Sequence, residues 1–113
     1  IEEKTTINIL KKKNIVISLG GGAFLNKNIR DEILKSHISF WLNLDIKTLI
    51  SRIKNSPKRP IAFNASNNEL IDLIKKRSNI YSKALYEINC NNLKKFQIVN
   101  KIINIYENDR IKS

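Results

Sequence analysis

The chain has 113 residues, with 21 lysines and arginines against 10 aspartates and glutamates, and a formal net charge of +11. That length fits one domain of modest size, and no apolar run reaches the ~18 residues of a membrane span. The start carries no signal-peptide pattern, and the lone cysteine, Cys90, excludes an intrachain disulfide framework and suits a reducing cytoplasm.

Residues 1 to about 12 place Ile1, Ile7 and Leu10 at the spacing of an amphipathic helix entered midway. Ile15–Leu19 is an almost continuous apolar run, as expected of a strand buried on both faces of a parallel sheet. It breaks into Gly20, Gly21 and Gly22, the only three glycines of the chain. Asn26 is placed to cap a helix carrying Ile29, Ile33 and Leu34 on one face. Ile38–Leu42 forms the next strand, with Phe40 and Trp41 read as core, and Asp45 caps a helix with Leu49, Ile50 and Ile53 inward.

Residues 55–65 hold both prolines and read as a loop. Ser66 and Glu69 then make a capping box that opens a helix to about Leu85, through Leu70, Leu73, Ile74, Ile80 and Tyr81. Glu87–Cys90 is a short last strand, in which Cys90 serves as a small apolar residue. Leu93–Tyr106 closes the chain as a helix with Phe96, Val99, Ile102, Ile103 and Tyr106 facing inward. Strands alternating with helices predict an α/β protein with a parallel sheet and flanking helices.

The positive charge admits a nucleic-acid-binding module as one reading. Against it, the lysines are spread along the chain, apart from short runs at Lys11–Lys13, Lys75–Arg77 and Lys94–Lys95. Asn, Ile and Lys dominate as a group, the mark of AT-rich codons, and most lysines read as solvated helix faces. Small anionic substrates fit the charge as well as DNA does. Methionine is absent and the chain opens inside a helical pattern, so we expect a fragment whose amino-terminal part is missing.

Chemistry-bearing residues are few. The single histidine, His37, lies in a turn before a strand and reads as a solvated loop residue, and no Cys/His grouping has metal-ligand spacing. The glycine run supports two readings, a tight strand-to-helix turn or a backbone cradle that a ligand can approach closely. Arginine is the minority cation, and Arg52, Arg59 and Arg77 flank or occupy the 55–65 loop. Its planar fork suits bidentate carboxylate or phosphate recognition, and Pro60 stiffens the backbone beside Arg59. A loop arginine of this kind can neutralise charge developing on a transferring phosphoryl group.

Taken in order, Val16-Ile-Ser-Leu-Gly-Gly-Gly-Ala-Phe24, Phe40-Trp41-Leu42, Arg59-Pro60-Ile61 and Arg77-Ser-Asn-Ile-Tyr81 resemble the carboxyl-terminal two-thirds of shikimate kinase. The resemblance covers essentially the whole chain, residues 1–113, as one partial kinase domain with a lid at about 55–65. It implies a P-loop kinase-like parallel sheet, truncated at the amino terminus, with three of the family's five strands present and the central one missing. It also implies ATP-dependent phosphorylation of the 3-hydroxyl of shikimate in aromatic amino-acid (chorismate) biosynthesis, by a cytoplasmic enzyme that is monomeric when complete. Under the same resemblance Gly20, Gly21, Gly22 and Arg77 bind shikimate, Arg77 through the carboxylate. Arg59 is the catalytic lid arginine that reaches the ATP phosphates, and Arg52 packs on adenine. Glu2 matches the glutamate of the family's Phe-Arg-x-x-Glu motif, Tyr81 is a packing residue, and Phe96 stands where the adenine wall usually has a proline or polar residue.

The phosphate-binding Gly-x-x-x-x-Gly-Lys-Ser/Thr loop and the Asp-x-Asp motif are absent from the sequence, so the Mg²⁺ ligands are expected on the missing part. We therefore expect the 113-residue chain to be inactive and only marginally stable alone. The alternatives are a gluconate-kinase-like enzyme of the same fold and the basic nucleic-acid-binding module.

Overall fold

The computed structural model describes residues 3–19, 22–55 and 66–112. In chain order these form α1 (Glu3–Leu10), a 3-10 turn (Ala23–Leu25), α2 (Lys27–Ser36), β1 (Phe40–Asn43) and α3 (Ile46–Lys54). There follow α4 (Asn67–Tyr81), β2 (Tyr86–Asn89) and α5 (Lys95–Lys112).

Side-chain caps set the helix starts where the sequence places them. The Asn26 side chain accepts the Ile29 N–H at 3.1 Å, and Asp45 accepts the N–H of Thr48 at 2.7 Å and its hydroxyl at 3.0 Å. Ser66 Oγ accepts the Glu69 N–H at 3.1 Å and donates to the Glu69 carboxylate at 3.2 Å, the expected reciprocal box. Each cap satisfies a donor that the first helical turn leaves without a partner. The two hydrogen bonds from Thr48 hold the Asp45 carboxyl below the ordinary aspartate range.

β1 and β2 pair in parallel, with Phe40 opposite Tyr86, Trp41 opposite Glu87, Leu42 opposite Ile88 and Asn43 opposite Asn89. Parallel pairing needs a long crossover, and α3 and α4 lie on it. The ladder runs on through Tyr86 N–H to Ser39 O at 3.0 Å and Cys90 N–H to Asn43 O at 2.8 Å.

The expected strand Ile15–Leu19 is not one: among the described residues the sheet has two strands and this run joins no ladder. Ile17 and Leu19 pack onto the core while Val16 is 101% exposed and Ile15 is also exposed. An apolar β-branched run makes a two-faced buried strand possible. Backbone partners on an edge and cover on both faces make it real, and here only one face is covered.

Leu10, Phe24, Ile29 and Ile33 form the buried cluster, joining α1, the 3-10 turn and α2, with Ile80, Tyr81 and Ala84 packed against it from the end of α4. Tyr81 lies 6.3 Å from the Phe24 ring centroid and 6.3 Å from that of Trp41, so one ring links the turn, α4 and β1. Leu70, Ile74, Ile88 and Cys90 are buried as well, and Cys90 is the core residue expected. Burial pushes its thiol upward in pKa, against an opposing pull from Lys101 and Arg52.

Several inward-facing assignments fail. Leu34 and Leu73 are exposed, and on α5 Phe96 (61%), Val99, Ile103 and Tyr106 face outward while Ile102 is half-buried. The principal contact of α5 is with β2, and one neighbour covers one stripe; that stripe runs through Ile98, Ile102, Ile105 and Asp109, which are half-buried. The Tyr86 hydroxyl donates to Asp109 across that seam, a bond that with desolvation raises the phenol above its ordinary range. His37 is not a solvated loop residue either. Its backbone N–H closes α2 on Ile33 O at 2.9 Å, and its half-buried ring has Nε2 buried without a hydrogen-bond partner.

Candidate carboxylate-binding site

Parallel strands end on the same side, and the loops beyond their carboxyl ends are where open α/β sheets receive ligands. Here β1 ends at Asn43 and β2 at Asn89. The Asp45 N–H donates to Asn91 Oδ1 at 2.9 Å, tying the two loops together, and Asn43 Nδ2 donates to Glu87 at 2.8 Å across the strands. A cleft of about 460 Å³ opens beside them, lined by Trp41, Asn43, Asp45, Lys75, Ser78 and Asn79 among others. Sequence reading passed over these asparagines. The place of Asn43 at the last position of β1, and of Asn91 just past the end of β2, is the signal that would have found them.

Arg77 sits on α4, one turn before Tyr81, and residues four apart share a helix face. Tyr81 is the packing residue expected, and its contact with Phe24 brings that face of α4 to the turn that follows the glycines. Arg77 is half-buried, and its Nε is buried with no hydrogen-bond partner among the described residues. Buried donors are seldom left so, and where they are, a ligand is one of the explanations. A carboxylate offers the acceptor that the fork requires.

Gly22 lines a second cavity of about 430 Å³ with Ser18, Leu19 and Asn26, at the exit of the Ile15–Leu19 run. Its φ is −120°, an ordinary backbone value, and a Cβ built there would meet nothing within 4 Å. The fold of the described residues therefore does not demand glycine at 22 for a sharp turn.

Arg52 is exposed on α3, and neither it nor Arg77 lines either cavity, so the structure does not bring Arg77 into the cavity that holds Gly22. Gly20, Gly21, Arg59, Glu2 and the 56–65 part of the lid lie outside the described residues. Among the described residues no three His, Cys, Asp or Glu side chains gather to hold a metal ion, and Arg52 is the one residue assigned to a nucleotide. These residues do not by themselves fit Mg²⁺ or the phosphates of ATP. No helix of the described residues is long and apolar enough to cross a membrane.

Two parallel strands joined by a helical crossover, with the 3-10 turn after Gly22 packed against the arginine-bearing helix, define an α/β protein, and the solved structure it superposes on gives the P-loop kinase fold. A structure of shikimate kinase from Bacteroides thetaiotaomicron superposes with a TM-score of 0.71 at 26% identity, over 93% of this chain and 63% of that one. The family model described as shikimate kinase matches residues 1–107. Relatives named shikimate kinase include those of Bartonella henselae, 37% identical over 79% of this chain and 43% of its own length, and Bartonella quintana, 33% identical over 96% and 52%. The chain belongs to the shikimate kinase family, and it spans about half the length of these curated relatives.

Proposed function

We propose that this chain forms the shikimate-binding wall and the lid of an enzyme that transfers the γ-phosphoryl group of ATP to the 3-hydroxyl of shikimate. The reaction belongs to chorismate and aromatic amino-acid biosynthesis in the cytoplasm. One observation carries the reading. Arg77 holds an Nε that is buried without a hydrogen-bond partner among the described residues, on the helix whose Tyr81 packs against the 3-10 turn that follows Gly22, so a group suited to a carboxylate is carried by the same helix that braces that turn. In this reading Arg77 takes the shikimate carboxylate and fixes the ring's orientation, while Gly22 and its neighbours Gly20 and Gly21 border the hydroxyls.

Arg59 is assigned to the transferring phosphoryl group and Arg52 to the adenine face, both by family resemblance. ATP supplies the phosphoryl group and Mg²⁺ neutralises its charge when bound, through residues this chain does not hold. The chain alone is therefore inactive. In the complete enzyme we expect a monomer.

The test is a chimera in which the part of the Bartonella quintana relative that this chain does not match is joined to the chain in the relative's own order. Shikimate-dependent ADP formation is expected from the chimera and none from the 113-residue chain. Turnover with gluconate in place of shikimate would assign the chain to a different small-metabolite kinase. A chimera that folds, binds ATP and turns over neither substrate would refute the proposal.

A further inference from the structure

A short helical turn leaves its last carbonyls without intrahelical partners. In the Ala23–Leu25 turn, the first two carbonyls are taken: Gly22 O accepts the Leu25 N–H at 3.1 Å and Ala23 O accepts the Asn26 N–H at 3.1 Å. That leaves Phe24 O and Leu25 O. Arg30, on the first turns of α2, donates from Nη1 to both, at 3.2 Å each. One guanidinium nitrogen carries two hydrogens, so it can serve two carbonyls without sharing either bond. Arg30 is half-buried, and its side chain ties the turn onto the helix that follows it.

The turn is held from its other side by packing. Phe24 is buried in the core and contacts Tyr81, one turn beyond Arg77. Arg30 and Tyr81 thus grip the same three residues, one through the backbone and one through a ring. Gly22 immediately precedes them as the amino-terminal cap of the turn, and no side chain of its own fixes it.

We propose that Arg30 is a positioning residue for the substrate turn: by holding Phe24 O and Leu25 O it fixes the Gly22 peptide relative to the helix that carries Arg77. This inference rests on the shikimate-binding reading, which it deepens. It has no role for Arg30 in touching substrate.

The test has two arms. In the chimera, the Gly22 amide resonance is followed by NMR in Arg30→Ala, Arg30→Lys and the control Lys35→Ala, an exposed residue of the same helix that loses the same charge. In the active chimera, KM and kcat are measured for shikimate and for ATP. Arg30→Ala is expected to shift or broaden the Gly22 amide and to raise the shikimate KM about ten- to hundredfold, with the ATP KM unchanged. Arg30→Lys, which keeps charge and a donor but not the planar fork, is expected to lie between. Lys35→Ala is expected to match the parent in both arms.

A merely structural Arg30 would lower stability while leaving the Gly22 amide and the shikimate KM of the folded protein alone, and that result overturns the proposal. So does an equal effect from Lys35→Ala. If Arg30→Ala does not fold, Arg30→Lys decides by the same two readouts. A chimera without shikimate turnover sinks the functional reading, while an undisturbed Gly22 amide sinks the role of Arg30 independently.

Discussion

Replacing Arg77 by methionine should make the free protein more stable while destroying its affinity for shikimate. Methionine has nearly the helix propensity of arginine and keeps an unbranched stem, so the backbone and the apolar contacts are little changed. What is removed is a guanidinium whose Nε is buried without a partner among the described residues. A buried donor left unpaired costs ~1–3 kcal/mol, and the half-burial of Arg77 points to the lower end, about 1 kcal/mol. For a domain of this size that gain raises Tm by about 4–8 °C.

The ligand arm has the opposite sign. A charge-assisted hydrogen bond to a carboxylate contributes about 1.5–3 kcal/mol, which corresponds to a rise of about 10- to 150-fold in Kd when it is lost. Urea unfolding of the 113-residue chain reads the first effect, and shikimate titration of the chimera by calorimetry reads the second. Arg77→Lys keeps a charge but only a point donor, and should fall between wild type and Arg77→Met in affinity. A destabilisation of more than about 1 kcal/mol in Arg77→Met would mean that Arg77 is held for structural reasons, and the reasoning from its orphaned Nε would fail. Unchanged shikimate affinity would remove its assignment to the carboxylate.

Other outcomes follow from the same structure. Ile29→Ala, at a side chain only 2% exposed in the cluster of Leu10, Phe24 and Ile33, should cost about 2–5 kcal/mol in urea unfolding, whereas Leu34→Ala on the exposed side of α2 should cost little. The Asp45 carboxyl is depressed by its bonds to Thr48, so its contribution to stability is full above the unfolded value of about 4 and is lost as pH falls through the lower folded value. Asp45→Asn should therefore flatten the acid limb of a stability-against-pH curve, and an acid limb identical to wild type would refute the assignment. Cys90, buried and with its thiol pushed upward, should react with a thiol reagent far more slowly in the native chain than in urea; fast native labelling would show that β2 opens readily.

Local chemistry was legible wherever a residue acts on its own backbone neighbourhood. Asn26, Asp45 and Ser66 cap their helices because an oxygen two or three bonds from Cα can reach the N–H of the third residue on, whatever the rest of the chain does. The parallel pairing of β1 with β2 was equally readable, since two apolar strands separated by long helical segments have no short route to an antiparallel ladder. Burial was not legible in the same way. Leu34, Leu73, Phe96 and Val99 satisfy helical periodicity as well as Ile29 and Leu70 do, yet they are exposed. Periodicity says which residues share a face, and only the neighbouring element says which face is covered. Arg30 illustrates the complementary failure. Its two carbonyl partners lie five and six residues back, on a turn whose geometry no local pattern announces.

By itself the sequence determined the α/β class, the helix starts, the buried Cys90 and the order of motifs that resembles shikimate kinase. Those features depend on side-chain chemistry over a few neighbouring residues and on the order of apolar runs. Only the tertiary structure decided that Ile15–Leu19 pairs with nothing among the described residues, that α5 presents an uncovered apolar stripe, and that Tyr81 joins the Arg77 helix to the turn beyond the glycines. A ladder and a buried face each require a second surface. Which surfaces meet is set by the packing of the whole chain, not by the residues that wait to be covered.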